Sequence, residues 1–460
     1  CIVCKIKILV IKLYHKDFLF LFGGVYIMKD EQKLSKELID FIFESPSQFH
    51  AAKNITEKLK SAGFKELSLK EKWNIEKGGS YFVTKNGSAV IAFKCGNGEI
   101  EKEGFRIIGA HTDSPTFRIK PNPEMTLENT YIKLNTEVYG GPIINTWLDR
   151  PLSIAGRVTL KGKDPFNPET CLVNFKKPLL IIPNLAIHMN RKINEGVELN
   201  RQKDTLPIIG LLNDQLQKDN FLIKLISKEI NRRAEDIIDF ELCLYEYEKG
   251  VIMGADDEFV SSGRLDDLSM VAAGINAISN TNPKYGVNVM VCFDNEEVGS
   301  STKQGADSPM LKNVLERIAL AFGKSREDYL RALECSFMIS ADDAHAIHPN
   351  SPEKCDPVNK PKINGGPVIK ISASQSYTTD SNSYAVYKEI CDKAKVPCQI
   401  FVNRSDERGG STIGPISSTH LNINSVDVGN AILAMHSVRE LGGVKDQLFA
   451  QKSFEKFYEI

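Results

Sequence analysis

The feature that most constrains this chain is a nearly continuous apolar run that ends in a cluster of acids. The length and composition of the run from Val287 to Phe293 predict a buried strand, and Asp294, Glu296 and Glu297 follow it within four positions. Adjacent carboxylates repel each other, so a fold keeps them together where a cation or a proton relieves the repulsion. A metal site would do this, and one glutamate could bind metal while its neighbour moves a proton. A solvated acidic turn is the alternative.

A second apolar run, Phe105 to His111, also leads into a polar loop. Asp113 follows two residues later, and on an extended chain the side chains of His111 and Asp113 share a face. A carboxylate that holds the second ring nitrogen is typical of a metal-binding histidine, so Asp113 could hold His111 directly or after a local bend. An N-cap aspartate beside a surface histidine is the alternative.

Three further segments carry the same residue types. Asp266 and Asp267 open a helical pattern, and Asp342 follows a predicted strand. His436 lies in the segment Val428 to Leu441, which we predict to be an amphipathic helix. Taken singly these signals are weak, because an aspartate at a helix start is a common cap. A lone histidine in a helix is more often packed or on the surface.

Together the segments form an ordered set of histidines and carboxylates: His111, Asp266, Glu296, Glu297, Asp342 and His436. Several of them follow apolar strands, and in open α/β sheets ligands bind beyond the carboxyl ends of the strands. The set supplies enough donors for two metal ions that share one carboxylate, and the mixture of imidazole and carboxylate favours zinc. The sequence therefore predicts an α/β fold with a two-metal site.

The composition excludes several classes of partner. The chain has 58 basic and 59 acidic residues, so nothing indicates a surface for nucleic acid or membrane. Its ten cysteines are scattered without paired spacing, which favours a reducing, cytoplasmic location.

The pattern of predicted helices and strands changes along the chain. Residues 28–120 and 255–460 alternate between helical and strand patterns, and we predict that they form a catalytic α/β domain. Residues 121–254 contain strand-like runs separated by turns and no member of the ligand set. We predict that they form an inserted, β-rich domain.

The motifs resemble those of the aspartyl aminopeptidases, a family of cocatalytic zinc metallopeptidases. The matching stretches run in the family's order: His111-Thr-Asp-Ser-Pro, Asn145-Thr-Trp-Leu-Asp-Arg, Leu185-Ala-Ile-His188, Ser262-Gly-Arg-Leu-Asp266, Asp294-Asn-Glu-Glu-Val-Gly-Ser300, Ser340-Ala-Asp342, Gly366-Pro-Val-Ile-Lys370, Ser411-Thr-Ile-Gly-Pro415 and Met435-His-Ser-Val-Arg-Glu440. The resemblance implies a zinc-aminopeptidase-like α/β/α catalytic domain with an inserted β-rich dimerisation domain.

The resemblance begins after Met28. The chain starts at Cys1, which is not an initiator residue. We therefore expect residues 1–27 to be upstream nucleotide sequence translated in frame, a hypothesis that N-terminal sequencing of the native protein tests.

The resemblance also implies roles for the ligand set. His111, Asp266 and Asp342 would hold one zinc ion, and Asp266, Glu297 and His436 the other. Asp266 would then bridge the two ions, although spacing alone does not decide between Asp266 and Asp267. Glu296 would be the general base, and we group Asp113 with it as catalytic. Co²⁺ or Mn²⁺ could replace zinc.

The activity implied is removal of N-terminal Asp or Glu from peptides. Lys370 would bind the acidic side chain, with His345 and the segment Ser411 to Gly414, through its exposed backbone amides, as pocket walls. A surface lysine that ends a strand is the alternative for Lys370. His188 would act across a subunit boundary in a tetrahedral homododecamer built from dimers. The rival functions are another dinuclear zinc hydrolase of the superfamily (a broad aminopeptidase, deacylase or carboxypeptidase) and a catalytically silent assembly protein.

Overall fold

The computed structural model describes residues 29–212, 220–407 and 409–460. The hypothesis about residues 1–27 lies outside the described residues. Among the described residues, no helix combines the length and the apolar character that crossing a membrane requires.

The described part of the chain begins with two helices, and a hairpin follows, as the sequence predicts. Ser45, Pro46 and Ser47 interrupt the helical pattern between the first two helices, and the turn around Asn86 joins strands two and three. The elements up to the first predicted ligand are α1 (Asp30–Glu44), α2 (Gln48–Ser61), β1 (Lys65–Glu66), β2 (Ser80–Lys85), β3 (Ala89–Cys95), α3 (Ile100–Glu103) and β4 (Phe105–His111).

The middle of the chain forms an antiparallel sheet of six strands, in the order β8-β7-β10-β5-β6-β9. Its elements are β5 (Thr116–Leu127), β6 (Tyr131–Tyr139), β7 (Leu152–Leu160), β8 (Glu169–Asn174), β9 (Ile208–Leu211), α4 (Phe221–Ile230) and β10 (Ile237–Glu246). Phe117, Trp147 and Leu242 are buried in its core with Leu222 of α4. That this sheet folds as an inserted domain with the boundaries 121–254 stays a prediction.

The last part of the chain returns to alternating helices and strands. Its elements are β11 (Val251–Met253), β12 (Phe259–Ser262), α5 (Leu265–Asn280), β13 (Val287–Phe293), α6 (Met310–Ala321), α7 (Arg326–Glu334), β14 (Phe337–Ala341), β15 (Ala344–His345), β16 (Val368–Ile371), α8 (Ser381–Ala394), β17 (Gln399–Val402), α9 (Ile413–Leu421), β18 (Asn424–Gly429), β19 (Ala431–Ile432), β20 (Glu440–Gly443) and α10 (Val444–Glu459).

A sheet of nine strands, β1-β2-β3-β13-β4-β14-β18-β16-β17, joins the first and last parts of the chain. Its centre, from β13 to β18, is parallel. Helices cover both faces: α1, α2, α5, α8 and α10 pack on one side, and α6, α7 and α9 on the other. This architecture confirms the predicted α/β/α fold.

The position of β13 between two layers of helices explains why its sequence is almost entirely apolar. Val289, Val291 and Phe293 face one core, and Met290 and Cys292 face the other. Successive side chains on a strand point to opposite faces, so a strand covered by helices on both sides needs apolar residues at nearly every position.

The helix predicted for residues 428–441 is wrong. Residues up to Gly429 complete β18, and β19 and β20 follow with a loop between them. Ala434 and His436 have φ angles of 56° and 68°, which an α-helix does not contain. The apolar spacing resembles a helical face, but β18 pairs with β14 and β16, β19 pairs with β15, and β20 pairs with β12. These long-range pairings override the local pattern.

Candidate metal centre

Three of the predicted site segments meet at one edge of the nine-stranded sheet. Strands β4 and β13 are parallel, and His111 at the end of β4 pairs with Phe293 at the end of β13. Glu296 and Glu297 follow in a 3-10 turn, and Asp342 follows β14, the other neighbour of β4. Because parallel strands end at the same edge, residues far apart in the sequence come together there.

Two further segments complete the cluster, and the side chain of Glu440 binds the main chain of both. Asp266 lies at the start of α5, and His436 lies in the loop between β19 and β20. Glu440 accepts hydrogen bonds from the main-chain N–H of Asp266 at 3.2 Å and of His436 at 2.8 Å. Burial raises the pKa of Glu440 to about 8. No role for Glu440 was predicted from the sequence, and the residue falls in the segment that was expected to be a helix.

The Asp266 carboxylate lies between two imidazoles. Its Oδ1 is 3.4 Å from Nε2 of His111, and its Oδ2 is 3.5 Å from Nε2 of His436. The Oε2 atom of Glu297 lies 3.4 Å from the same nitrogen of His436. One carboxylate therefore faces both histidines.

The neighbouring Asp267 has a different environment. It is fully buried, and its Oδ2 accepts a hydrogen bond from the main-chain N–H of His111 at 3.0 Å. This bond directs one oxygen of Asp267 at the backbone, whereas Asp266 directs both oxygens at side-chain nitrogens. Asp266 is thus the carboxylate that faces both histidines. Among the described residues, Oδ1 of Asp267 is also buried without a hydrogen-bond partner, and the ligand atoms of His111, Asp266 and Asp267 lie within 4.8 Å of one another.

The contacts of Asp113 differ from those predicted, because its main-chain carbonyl oxygen lies closer to the ring of His111 than its carboxylate does. The Nδ1 atom of His111 lies 3.0 Å from the main-chain carbonyl oxygen of Asp113 and 3.4 Å from its carboxylate. A carbonyl oxygen only accepts, so Nδ1 carries the proton and Nε2 is free to bind a cation. The carboxylate of Asp113 accepts from the main-chain N–H of Glu296 at 3.1 Å and of Glu297 at 3.2 Å.

The chemistry of these donors fits zinc. Ligand atoms of Asp266, Glu297 and His436 all lie within 4.8 Å of one another, as do those of His111, Glu296 and Glu297. Within the described part of the chain, Oδ1 of Asp266 and Oε1 of Glu297 are buried without a hydrogen-bond partner. Buried carboxylate oxygens beside free imidazole nitrogens are the donors that zinc prefers.

The electrostatics of the cluster point the same way. Burial, reinforced by neighbouring carboxylates such as Asp342, raises the pKa of Glu296 to about 8. Burial also opposes charge on His436, yet Asp266 and Glu297 raise its pKa to about 9. The site therefore concentrates more negative charge than its surroundings solvate, and a cation relieves this excess.

A cavity of about 300 Å³ opens on the cluster, and Lys370 lies in its wall. Lys370 is only 3% exposed, which excludes the alternative that it is a surface lysine at the end of a strand. Its Nζ donates to Oδ1 of Asp342 at 3.1 Å and to the main-chain oxygen of Asp343 at 3.0 Å. Burial opposes the charge, but the Asp342 carboxylate raises the pKa of Lys370, which keeps it an ammonium ion. Asp342 thus lines the cavity while paired to this lysine.

Of the remaining predicted residues, some line the cavity and others do not. His345 is exposed and lines the cavity, with its ring 6.0 Å from that of Phe401. Ser411 and Thr412 line the cavity, but Gly414 does not. Contrary to expectation, the amide of Gly414 is buried and donates to Oγ1 of Thr412 at 3.3 Å. His188 lies in an exposed loop and does not line the cavity of its own chain.

Comparison with known proteins shows the family of this chain. Residues 41–458 match the model of the aminopeptidase I zinc metalloprotease family, M18. A probable M18 family aminopeptidase 2 of Clostridium novyi is 64% identical over 433 residues, which are 94% of this chain and 100% of the relative.

Solved structures agree over nearly the whole chain. A structure of the Ape4 and Nbr1 complex is 38% identical with a TM-score of 0.90, and the match covers 93% of this chain and 86% of that one. The S. cerevisiae mApe1 dodecamer is 28% identical with a TM-score of 0.80, and the match covers 94% of this chain and 97% of that one. With a family match over most of its length and a centre of zinc-binding donors, this chain belongs to the M18 family of zinc metalloproteases and is a hydrolase of the aminopeptidase type.

Proposed function

We propose that the enzyme removes N-terminal aspartate and glutamate from peptides at a centre of two zinc ions. The observation that carries the specificity is the buried ammonium of Lys370 in the wall of the cavity that contains the metal cluster. Lysine has three N–H donors, and two of them are used by Asp342 and Asp343. The third is available for the carboxylate of an acidic substrate.

Two sets of residues would each hold one metal ion. His111, Asp266 and Asp342 would hold one ion, and Asp266, Glu297 and His436 the other. When bound, zinc polarises the scissile carbonyl and lowers the pKa of a bound water. Co²⁺ or Mn²⁺ could take the same places, since carboxylate and imidazole ligands suit several divalent ions.

Glu296 would act as the general base. Its carboxylate shares a group of potential ligand atoms with His111 and Glu297, while its main-chain N–H is fixed by Asp113. It would accept the proton of the attacking water and then donate it to the amine that leaves. Such transfers need a carboxylate within hydrogen-bond reach of both groups.

Replacing Lys370 with alanine tests the specificity. We expect the preference for Asp and Glu peptides over Ala and Leu peptides to fall about 10- to 100-fold, because a hydrogen bond to a charged group contributes about 1.5–3 kcal/mol. The measurement is kcat/KM on four peptides that differ only at the N-terminal residue.

Lys94→Ala is the matched control for that experiment. Lys94 is also buried, but it donates to the main-chain oxygens of Ser279 and Thr281 in another part of the fold. The control should leave the ratio of acidic to neutral rates unchanged. An equal loss on all four peptides in Lys370→Ala would make Lys370 a structural residue.

We also propose that the protein assembles as a tetrahedral homododecamer of dimers in which His188 reaches a neighbour's active site. One solved relative is described as a dodecamer. Next to His188, the loop exposes Leu185, Ile187 and Met189, whose exposed fractions are 58%, 54% and 73%. Large apolar side chains exposed together are typical of a contact surface.

Light scattering should therefore give the mass of twelve chains. His188→Ala should keep that mass and lose activity, since this side chain lies outside its own cavity. Met189→Asp should give smaller, inactive species. A stable and fully active monomer would contradict both the assembly and the role of His188.

The proposed location is the cytoplasm. Eight cysteines of the described residues are free thiols, among them the exposed Cys335 and the buried Cys95. Free thiols spread over a fold suit a reducing compartment better than an oxidising one.

A further inference from the structure

Three consecutive residues where strand β6 of the six-stranded sheet ends reach the metal centre. They are Tyr139, at the end of β6, and the two glycines that follow it, Gly140 and Gly141; we call them the strand-end segment. None of these three residues was predicted from the sequence to belong to the site. Each of its members contacts a different group of the candidate centre.

Tyr139 holds the turn that carries the two glutamates. Its hydroxyl donates to Oδ2 of Asp113 at 2.7 Å and accepts from Nδ2 of Asn295 at 2.9 Å. Asp113 in turn binds the main-chain N–H groups of Glu296 and Glu297. A short hydrogen bond to a carboxylate is charge-assisted and among the stronger ones in proteins. Tyr139 therefore fixes both the acceptor that orients the turn and the residue that precedes it.

Gly140 lies against the side chain of Glu297. Its φ angle is +70°, a conformation that favours glycine. A Cβ atom at this position would lie 3.2 Å from Cβ and 3.5 Å from Oε2 of Glu297. The position thus needs glycine for its backbone conformation and for the room that Glu297 occupies.

Gly141 and the residues after it hold the loop of His436. The carbonyl oxygen of Gly141 lies 3.1 Å from Nδ1 of His436, and since a carbonyl only accepts, the ring proton lies on Nδ1. The N–H of Ile143 donates to the carbonyl of His436 at 2.9 Å, and Oγ1 of Thr146 accepts from the N–H of Val438 at 3.0 Å. Nε2 of His436 is left facing Asp266 and Glu297.

We infer that the strand-end segment is a positioning element of the metal centre. It sets the tautomer of His436 and holds the Glu296–Glu297 turn, so the six-stranded sheet controls the geometry of a site to which it gives no ligand. Groups that orient metal ligands in this way typically change metal affinity or activity when they are removed. The inference rests on the proposed function, because it assigns these residues to a two-zinc hydrolytic site.

Tyr139→Phe tests the inference, since it keeps the ring and removes only the hydroxyl. We expect kcat to fall about 10- to 100-fold on an Asp peptide, with KM changed less than about twofold, and a chelator to remove zinc at lower concentration. The urea midpoint of unfolding should stay that of the wild type. Tyr131→Phe, at the exposed start of the same strand, is the control and should match the wild type in all four measurements.

Gly140→Ala gives an independent test on the same segment. Its control is Gly78→Ala, because Gly78 has a similar φ of +78° but nothing within 4 Å of an added Cβ. Both variants carry the same kind of backbone strain, so a loss of zinc retention confined to Gly140→Ala comes from the contact with Glu297. Equal zinc retention in the two variants would overturn the role of Gly140.

The outcomes separate this inference from the proposed function. A wild-type enzyme without zinc-dependent release of N-terminal residues would refute the proposed function. An active wild type with an unchanged Tyr139→Phe variant would overturn the inference alone. A variant that loses activity and urea resistance in parallel, with normal zinc retention, would make Tyr139 structural and would also overturn it.

Discussion

Replacing Glu296 with glutamine is expected to leave the zinc content unchanged and to lower kcat by about 10²–10⁴-fold, the usual cost of losing a general base. The amide has the shape of the carboxylate but cannot accept a proton. Asp113 holds Glu296 through its main-chain N–H, so the substitution does not disturb the anchor of the turn. The measurements are zinc content and kcat on an Asp peptide.

Glu297→Gln is the matched comparison on the same turn. Glu297 faces His436 at 3.4 Å and is proposed as a ligand, so this variant should lose zinc as well as activity. If Glu296→Gln keeps near wild-type activity, Glu296 is not the base and Glu297 must be considered for that role.

Asp266→Asn is expected to reduce zinc content more than a change of any other single ligand. The Asp266 carboxylate faces both imidazoles, and an amide is a poor ligand for zinc. Loss of this residue should therefore weaken both sites together. Zinc analysis of the purified variant, before and after dialysis against a weak chelator, measures the effect.

Asp267→Asn is its control. The side-chain oxygen of an asparagine can still accept the main-chain hydrogen bond from His111, so this variant should retain more zinc than Asp266→Asn. The reverse order, with zinc lost from Asp267→Asn and kept by Asp266→Asn, would assign the shared ligand to Asp267.

The sequence predicted the parts of the fold that depend on local patterns. Strands β4 and β13 follow from apolar runs that two covering layers of helices require. The break between α1 and α2 follows from Pro46, which cannot donate a main-chain hydrogen bond. The segment around His436 was predicted incorrectly because the strands on either side of it, β19 and β20, pair with β15 and β12, which lie far away in the sequence.

The candidate site was likewise predicted only in part, because some of its contacts join residues far apart in the sequence. Residue types and spacing brought out His111, Asp266, Glu297 and His436, whose ligand atoms the fold gathers into compact groups. The residues that orient them were missed, since Gly141 and His436 are 295 positions apart in the chain. The buried amide of Gly414 was missed for a local reason: Thr412 caps α9 and accepts its hydrogen bond.

The most direct test of the account is the hydrolysis of four peptides that differ only in an N-terminal Asp, Glu, Leu or Ala, with zinc content measured on the same samples. We expect the zinc-loaded enzyme to release Asp and Glu much faster than Leu and Ala. The metal-free enzyme should be inactive until zinc is restored. Release of Leu or Ala as fast as Asp would contradict the acidic specificity, and full activity without a divalent metal would contradict the proposed centre.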